Sequence, residues 1–499
     1  MNISRRSFLG ASLASLAAPA TGAGEGRPAL RFGFLTDTHV ERTVDSCARV
    51  RKALELFRSK GVELIVHTGD VANAHYPDGY RAYRQVFDEV FAGVTPPRQI
   101  TAVGNHDTQM ELNGLTQAQA AVETLQLLGV ENVHTDTREV NGYAFLTMPY
   151  NVGGEGSLPR ADYEARVKAA CEAHPGRPVF VCEHEPPQDT VYNSHNWGWA
   201  QSRAIFEKYP QVVELSGHVH GSLRNDQFIW QGAFTVVNAC CINAWQGLLD
   251  GQAAKGGQSK PSNAVLVLDV YADRIVARRW DILDGTEICP ESPWTIPLPF
   301  AAATAPYNRA RLVADEVAPE FASGAALTAV AEGDPCQGVR LTFPQVEGAM
   351  TYWLTAQTRN TSGAWTEIAH AEMFSDFWME PADRTGTATY LFPETLLAPG
   401  ERHRFTVQPR GQYGAKGAAL DATLTTPADL PSQHPDAFVE YIESTGVQYL
   451  DTGVRARSGT KAEIDGLFTA VGPDVAFLDA RGAWNTDTRV MFFHTANAA

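Results

Sequence analysis

Positive charge is the first thing this chain is short of. Lys and Arg together number 40 against 57 Asp and Glu, a formal net charge of -17 over 499 residues. Affinity for nucleic acid comes mainly from cations that neutralise phosphates, so a polyanion-wrapping protein is excluded and a soluble, solvated surface is left. Low-complexity blocks are absent, and 44% of the residues are apolar, so sizeable cores can be filled. A long hydrophobic run is missing from the amino-terminal segment: the stretch Phe8 to Ala18 is interrupted by Gly10, Ser12 and Ser15 and is too short to span a bilayer, so no transmembrane anchor is expected. Cysteines are few and odd in number, seven in all. Cys47 and Cys171 fall in helical patterns and Cys182 in an apolar strand, which makes them core residues. Cys240 and Cys241 are adjacent, a spacing that strains a disulfide, and no second thiol pair accompanies them to complete a metal site.

What is present begins with a targeting segment. Ser4-Arg5-Arg6-Ser7-Phe8-Leu9 resembles a twin-arginine export signal, and Ala18-Pro19-Ala20 and Thr21-Gly22-Ala23 offer small-residue cleavage sites. The resemblance implies a signal peptide over 1–23, a bacterial periplasmic or secreted location, and passage across the membrane in the folded state.

The length is a soft prior for about three domains. Over residues 28–300 apolar runs alternate with helical spacing. Leu30–Leu35, Val62–His67, Arg98–Val103, Pro178–Cys182 and Val212–Leu215 are expected as strands. Helical segments at 47–57, 80–91 and 116–128 lie between the first of them. Such alternation implies mostly parallel pairing in an α/β layered domain. Ala264–Val270 and Arg274–Arg279 add an antiparallel hairpin. Parallel sheets carry their sites at the carboxyl ends of their strands. Asp37, Asp70, Asn105, His184 and His218 all fall there, so five loops from one sheet edge are expected to converge.

Those loops read Asp37-Thr38-His39, Gly69-Asp70, Gly104-Asn105-His106-Asp107, His184 and Gly217-His218-Val219-His220. Carboxylates and imidazoles bind divalent first-row metals, and no thiolate is among them, so Fe, Mn, Zn or Co are suited. Asp37 and His39, two apart just past a strand, can point at one ion. Asp70, with two oxygens, can bridge two ions roughly 3.5–4 Å apart, the usual two-metal spacing. Asn105 offers a neutral amide oxygen and His184 closes one site. His218 and His220 share a side of an extended segment and can serve both ions. A hydroxide between two such ions has its pKa lowered towards neutrality and attacks phosphorus in line. His106 is placed to protonate the leaving oxygen or to bind the phosphoryl group, and Asp107 to orient it.

In this order the motifs resemble those of the calcineurin-like metallophosphoesterase superfamily, over residues 30–285. The resemblance implies an α/β layered sheet sandwich with helices outside. It implies Asp37, His39, Asp70 and His220 around one ion, and Asp70, Asn105, His184 and His218 around the other. His106 is the acid-type residue, and the cofactor is two divalent or mixed-valence ions of Fe, Mn or Zn. Purple acid phosphatases share that superfamily, but this chain has His39 where they have glycine and Asn73 where a tyrosine ligand is expected, so no iron–tyrosinate colour is implied. The substrate is a small phosphate ester, mono- or diester. At the rim, Trp197 and Trp199 either stack on a base or sugar or pack to shape the loop. His195 either binds phosphate or is an exposed loop histidine. Trp230, beside the metals on a loop edge, and Asn243 and Trp245 are weaker candidates.

The proline-rich stretch Pro290–Pro306 marks a boundary, beyond which all-β accessory domains are expected. Residues 307–426 carry short strands at Val339–Phe343, Tyr352–Gln357, Tyr390–Phe392 and His403–Pro409. Leu397-Ala398-Pro399-Gly400 before Arg404-Phe405-Thr406-Val407 resembles a fibronectin type III domain over roughly 335–426. A linker follows at 427–435. Residues 439–453 resemble the opening strands of laminin-G and concanavalin-like jelly rolls, in a segment 436–499 too short to close one. These β domains suit contact with a glycan or a cell surface. A different class of protein, an adhesion or carbohydrate-binding chain using the first domain as a scaffold, could lose Asp70, Asn105 or His106 freely; all three are present.

Overall fold

The computed structural model describes residues 26–40, 44–73, 77–108, 115–132, 135–149, 160–242, 248–249, 252–253, 263–334, 336–377, 384–430, 475–480 and 490–494. The export segment 1–23, Asn243, Trp245 and the motif at 439–453 lie outside the described residues. Of the tail 436–499, one antiparallel pair is described, Val475–Ala480 with Val490–His494.

The first domain is built on two sheets. In the first, β1 (Leu30–Leu35), β2 (Leu64–Thr68) and β3 (Arg98–Ala102) run parallel. Helices α1 (Val44–Lys60) and α2 (Pro77–Val90) form the connections, and α3 (Gln117–Leu128) follows β3. In the second, β5 (Tyr143–Thr147), β6 (Val179–Cys182), β7 (Val212–Ser216) and β9 (Thr235–Asn238) run parallel. It is edged by the antiparallel strands β4 (Asp136–Val140) and β8 (Ile229–Gln231). Helices α4 (Arg160–Ala173), α5 (Ser194–Trp197) and α6 (Ala200–Phe206) lie along this half of the chain. The hairpin β10 (Ala264–Val270) and β11 (Arg274–Asp281) joins the first sheet through β1.

Strand alternation decides what each face buries. Phe32, Phe34, Leu64, Val66, Leu266 and Leu268 belong to one core with Phe145, Phe180, Val213 and Val236 of the second sheet. Ile65, Val265 and Val267 belong to another core with Val50, Leu54, Phe57, Tyr83 and Phe87 of α1 and α2. Phe32 stands edge-on to Phe145 and Phe180, with centroids 5.6 and 5.3 Å apart, an arrangement aromatic rings prefer to direct stacking. The sheets therefore face each other across an aromatic seam with helices outside. Helix α3 starts on Thr116, which accepts from Gln119 N–H in a capping box, and stops at Gly129 in a left-handed conformation.

The proline-rich stretch is not slack chain. Trp294–Pro297 forms strand β13, paired with β11 after the short strand β12 (Glu287–Ile288). Asp226 accepts from Arg279 Nη1 (2.7 Å) and Trp294 Nε1 (2.8 Å), which ties both strands to the loop after β7.

Beyond α7 (Arg309–Asp315) a three-stranded and a four-stranded antiparallel sheet enclose a core of Val339, Leu341, Phe343, Tyr352, Leu354, Phe392, Phe405 and Val407. Three of its strands, Thr328–Glu332, Trp365–Phe374 and Leu420–Thr425, were not anticipated by the sequence pattern. The linker placed at 427–435 begins too early: Leu430 is buried in this core, and Pro427 O accepts from Gly400 N–H at 2.8 Å.

Candidate metal centre

The candidate ligands sit at the carboxyl ends of β1, β2, β3, β6 and β7, but not along one sheet edge as expected. Asp37, His39, Asp70 and Asn105 come from the first sheet, whereas His184, His218 and His220 come from the second. The cluster therefore lies where two facing sheets end together. Four of these residues hold left-handed backbone: Asp37 at φ 51°, His39 at 40°, Asp70 at 52° and His218 at 68°. Such strain costs on the order of 1–3 kcal/mol per residue and concentrates at functional sites. Two motif glycines are explained by close approach. A Cβ on Gly104 would stand 2.1 Å from Asp70 Oδ1, and one on Gly217 would stand 2.0 Å from Thr36 Oγ1 and 2.3 Å from Asp37 Oδ2.

Each carboxylate has one oxygen fixed and one turned inward. Asp37 Oδ2 accepts from Thr36 Oγ1–H (2.7 Å) and His218 N–H (2.9 Å). Its Oδ1 lies 2.9 Å from His220 Nε2 and 3.7 Å from His39 Nε2. Asp70 Oδ1 accepts from His106 N–H (2.9 Å). Its Oδ2 lies 3.2 Å from His184 Nε2, and 3.9 Å from Nε2 of both His39 and His106. Without an ion, Oδ1 is held by the His106 N–H, and Oδ2 is the oxygen that faces both halves of the cluster. Asn105 Oδ1 is 3.1 Å from His184 Nε2. Three triads bring ligand atoms within 4.8 Å of one another: Asp37–His39–His220, His39–Asp70–His106 and Asp70–His184–His218.

The outer ring nitrogens fix the inner ones. His39 donates Nδ1–H to Asn73 Oδ1 at 2.7 Å, and His184 donates Nδ1–H to Thr68 O at 2.7 Å. In both rings Nε2 is left for the interior, the usual support for a metal-binding histidine. His39 Nε2 then meets His220 Nε2 at 3.2 Å. Two imidazole nitrogens facing each other beside two buried carboxylates are reconciled by a cation, so these His/Asp clusters fit a metal site. Electrostatics agree. Burial pushes the Asp37 and Asp70 carboxyls up, but His220 and His184 beside Asp37, and His184 beside Asp70, outweigh it and hold both well below the usual range. Burial pushes His184 down, but Asp70 and Asp37 override it and raise the imidazole to about 10.

Asp107 does not orient His106. Its Oδ1 accepts from Val71 N–H (3.0 Å) and Tyr80 OH (3.1 Å), and its Oδ2 accepts from Gly104 N–H (2.9 Å). It pins the β2 and β3 loops together, and His106 Nδ1 is buried without a hydrogen-bond partner. Burial also lowers the His106 pKa. Trp197 lies against a candidate ligand, its ring 5.5 Å from that of His218, and also against the main core. Trp199 Nε1 is buried and unpartnered, and His195 is exposed with Nε2 3.0 Å from Asn196 Nδ2. Trp230 is not a rim residue: it is buried in β8. Among the described residues no cysteine joins a candidate metal cluster, and Cys240 and Cys241 are buried and not joined in a disulfide.

Two supporting residues went unread in the sequence. Asn73, which in the sequence stands out only as a departure from tyrosine, accepts from His39 Nδ1–H. His67 accepts from Gly69 N–H through Nδ1 (3.1 Å), so its Nε2–H faces Thr38 Oγ1 (3.1 Å). Burial pushes its pKa down to about 3, which keeps it neutral behind the cluster. A histidine inside an apolar strand gives no sequence signal for such a role.

Residues 30–222 match the family model of the calcineurin-like phosphoesterases. No curated protein matches the chain. Among solved structures, a dimetal phosphatase from Danio rerio is 12% identical, with 52% of this chain and 99% of that chain covered and a TM-score of 0.36. A purple acid phosphatase from yellow lupin (Lupinus luteus) seeds is 14% identical, with 54% and 53% covered and a TM-score of 0.38. The fn3 domain of human collagen alpha-1(XX) chain is 21% identical, with 23% and 88% covered and a TM-score of 0.15. The first domain has the metallophosphoesterase α/β fold, and β-sheet-rich regions follow it.

Proposed function

We propose that this chain is an exported, metal-dependent phosphoesterase that hydrolyses a phosphate mono- or diester. The observation that carries the proposal is Asp70 Oδ2, one buried carboxylate oxygen facing His184 on one side and His39 on the other. Asp37, His39, Asp70 and His220 would hold one ion, and Asp70, Asn105, His184 and His218 the other. When bound, Fe, Mn or Zn would supply Lewis acidity toward the phosphoryl oxygens and toward water.

The chain's own groups do the rest. His106 faces the same cluster from the β3 loop, with Nε2 3.9 Å from Asp70 Oδ2. Its N–H to Asp70 Oδ1 fixes both the carboxylate and its own backbone. Its partial exposure leaves the ring open to substrate, where a ring N–H can pass its proton to the leaving oxygen. Thr36 and the His218 N–H keep Asp37 turned inward. Asn73 and Thr68 O hold His39 and His184 in the tautomer that presents Nε2. The motif Ser4-Arg5-Arg6-Ser7-Phe8-Leu9 supports export by the twin-arginine route to the periplasm or beyond. Among the described residues no helix is long and apolar enough to cross a membrane. The three- and four-stranded sheets support a fibronectin type III-like domain that suits glycan or cell-surface contact.

The test is direct. Mature protein loaded with Mn or Fe is assayed on p-nitrophenyl phosphate and bis-p-nitrophenyl phosphate, beside Asp70→Asn. Turnover of at least one ester is expected in the wild type, with lower metal content and lost turnover in the variant. Loaded wild type that hydrolyses neither ester overturns the proposal.

A further inference from the structure

A cleft of about 440 Å³ lies between the first domain and the β-sandwich. Its volume falls in the range of small-molecule sites, which favour domain interfaces. One wall is the chain from Asp189 to His195, which continues into the loop beside the candidate metal centre. The other wall comes from the sandwich, with Thr351, Glu372 and Arg410. The two are braced into a preformed shape. Arg309 donates Nη1–H to Gln227 Oε1 (2.5 Å) and Nη2–H to Thr190 O (3.3 Å). Gln227 donates Nε2–H to the sandwich carbonyl of Gln412, and its own carbonyl accepts from Tyr192 N–H at 2.9 Å. Tyr192 also packs against Cys241, Met350 and Phe374, an apolar contact that crosses between the domains.

The walls carry charge but no surplus of it. Arg410 lies 3.5 Å from Glu372 and over the Trp353 ring, while Asp189 lies 3.5 Å from Arg203. Arg309 sits over the Tyr413 ring. Two guanidinium groups and two carboxylates line the space, so an ion of either sign gains little there. Thr351 donates its hydroxyl to Glu372 at 2.6 Å, which leaves the second carboxylate oxygen for another donor. Closely spaced donors and acceptors beside a tyrosine ring suit hydroxyl groups.

The cleft also neighbours the chemistry. Ser194 and His195 line it, and Trp197 in the same helical turn sets its ring 5.5 Å from His218. One turn of helix rises about 5.4 Å. We infer that this cleft is a subsite for a neutral, hydroxyl-rich group, the alcohol side of the phosphate ester, and that the β-sandwich is therefore part of the substrate site. The identity of that group as part of an ester rests on the phosphoesterase reading; the binding does not.

The test measures binding without catalysis. Saturation-transfer NMR is run on the full chain with glycerol, myo-inositol and methyl α-D-glucopyranoside as probes. Transfer to at least one probe is expected, falling about fivefold in Glu372→Ala, the loss expected of one hydrogen bond. Glu372 also holds Arg410, so the milder Thr351→Val is measured beside it, with circular dichroism to verify folding, and the same direction is expected. Transfer to none of the three probes, or transfer unchanged in both variants, overturns the inference. The two readings fail separately. Wild type that turns over p-nitrophenyl phosphate but binds no probe removes only the subsite. Wild type that binds a probe through Glu372 but hydrolyses no ester removes only the phosphoesterase.

Discussion

His39 donates its Nδ1–H to Asn73 Oδ1 at 2.7 Å, and this one bond decides which nitrogen His39 turns toward the cluster. Replacing Asn73 with Leu frees the ring to rotate and to change tautomer. Loss of such an outer partner typically costs about 10–100-fold in metal affinity or activity. Chelator-competition titration of Asn73→Leu is expected to show weakened binding of one of two metal equivalents. Affinity equal to wild type would mean that Asn73 is a bystander.

Gly217 tests how tightly the loops are fitted. A methyl group there meets Thr36 Oγ1 and Asp37 Oδ2 well inside contact distance. Overpacking of this kind costs about 1–3 kcal/mol, and here it also displaces a candidate ligand. Gly217→Ala is expected to lower both the melting temperature and the metal content. A variant that melts as wild type does and keeps its metal would show that the β7 loop yields without consequence.

His106 has two candidate roles, since it completes one triad with His39 and Asp70 and also stands partly exposed. As an acid it contributes about 10²–10⁴ in rate. His106→Ala is expected to retain two metal equivalents and to lose turnover, with a smaller loss for esters of good leaving groups such as p-nitrophenol. Elemental analysis showing one equivalent instead would make it a ligand.

Stability of the metal-free protein is expected to depend on pH in a defined way. Asp37 and Asp70 are held below the ordinary value of 3.8, so their contribution is present above that value and is lost as pH falls. His184 is raised from 6.5 to about 10, so its contribution is full below pH 6.5 and is lost as pH rises toward about 10. The melting temperature is expected to fall on the alkaline side, as pH rises from 6.5 toward about 10. Metal requires neutral imidazole, so the gap between loaded and stripped protein should widen over that alkaline range. Calorimetry on both forms measures it, and a gap that narrows from pH 6.5 to 10 contradicts the assignment.

Export is tested at Arg5 and Arg6. Changing both to Lys is expected to leave uncleaved precursor in the cytoplasm, scored by fractionation and immunoblot. Normal export of that double variant rules out the twin-arginine route.

Much of the metal centre could be read in the sequence, because order and strand-end position are properties of the chain itself. Leu30–Leu35 carries its own apolar pattern, and Thr116 and Gly129 mark the ends of α3 chemically. What could not be read was partnership at a distance. Alternating strands and helices do not say which sheet a strand joins, so five loops were assigned to one edge when two sheets supply them. Adjacency also misleads: His106 and Asp107 begin a short 3-10 turn that sends one side chain to the cluster and the other to the backbone of the loop after β2. The prolines of Pro290–Pro306 mark a boundary in the sequence but do not show that Trp294–Pro297 within it pairs as an outer strand, a place that tolerates them.

Asp37 and His220 touch across 183 residues of chain and belong to opposite sheets. An ion gripped by both would act as a rivet, closing a very long loop and pinning the two sheets at the end where no aromatic seam holds them. Loop-closure constraints of that length are the ones that restrict an unfolded chain most. Metallation would then serve as a fold checkpoint as well as a chemical one: a chain that crosses a membrane already folded would leave the cytoplasm with its catalytic end locked, and a stripped chain would open first at the site it needs.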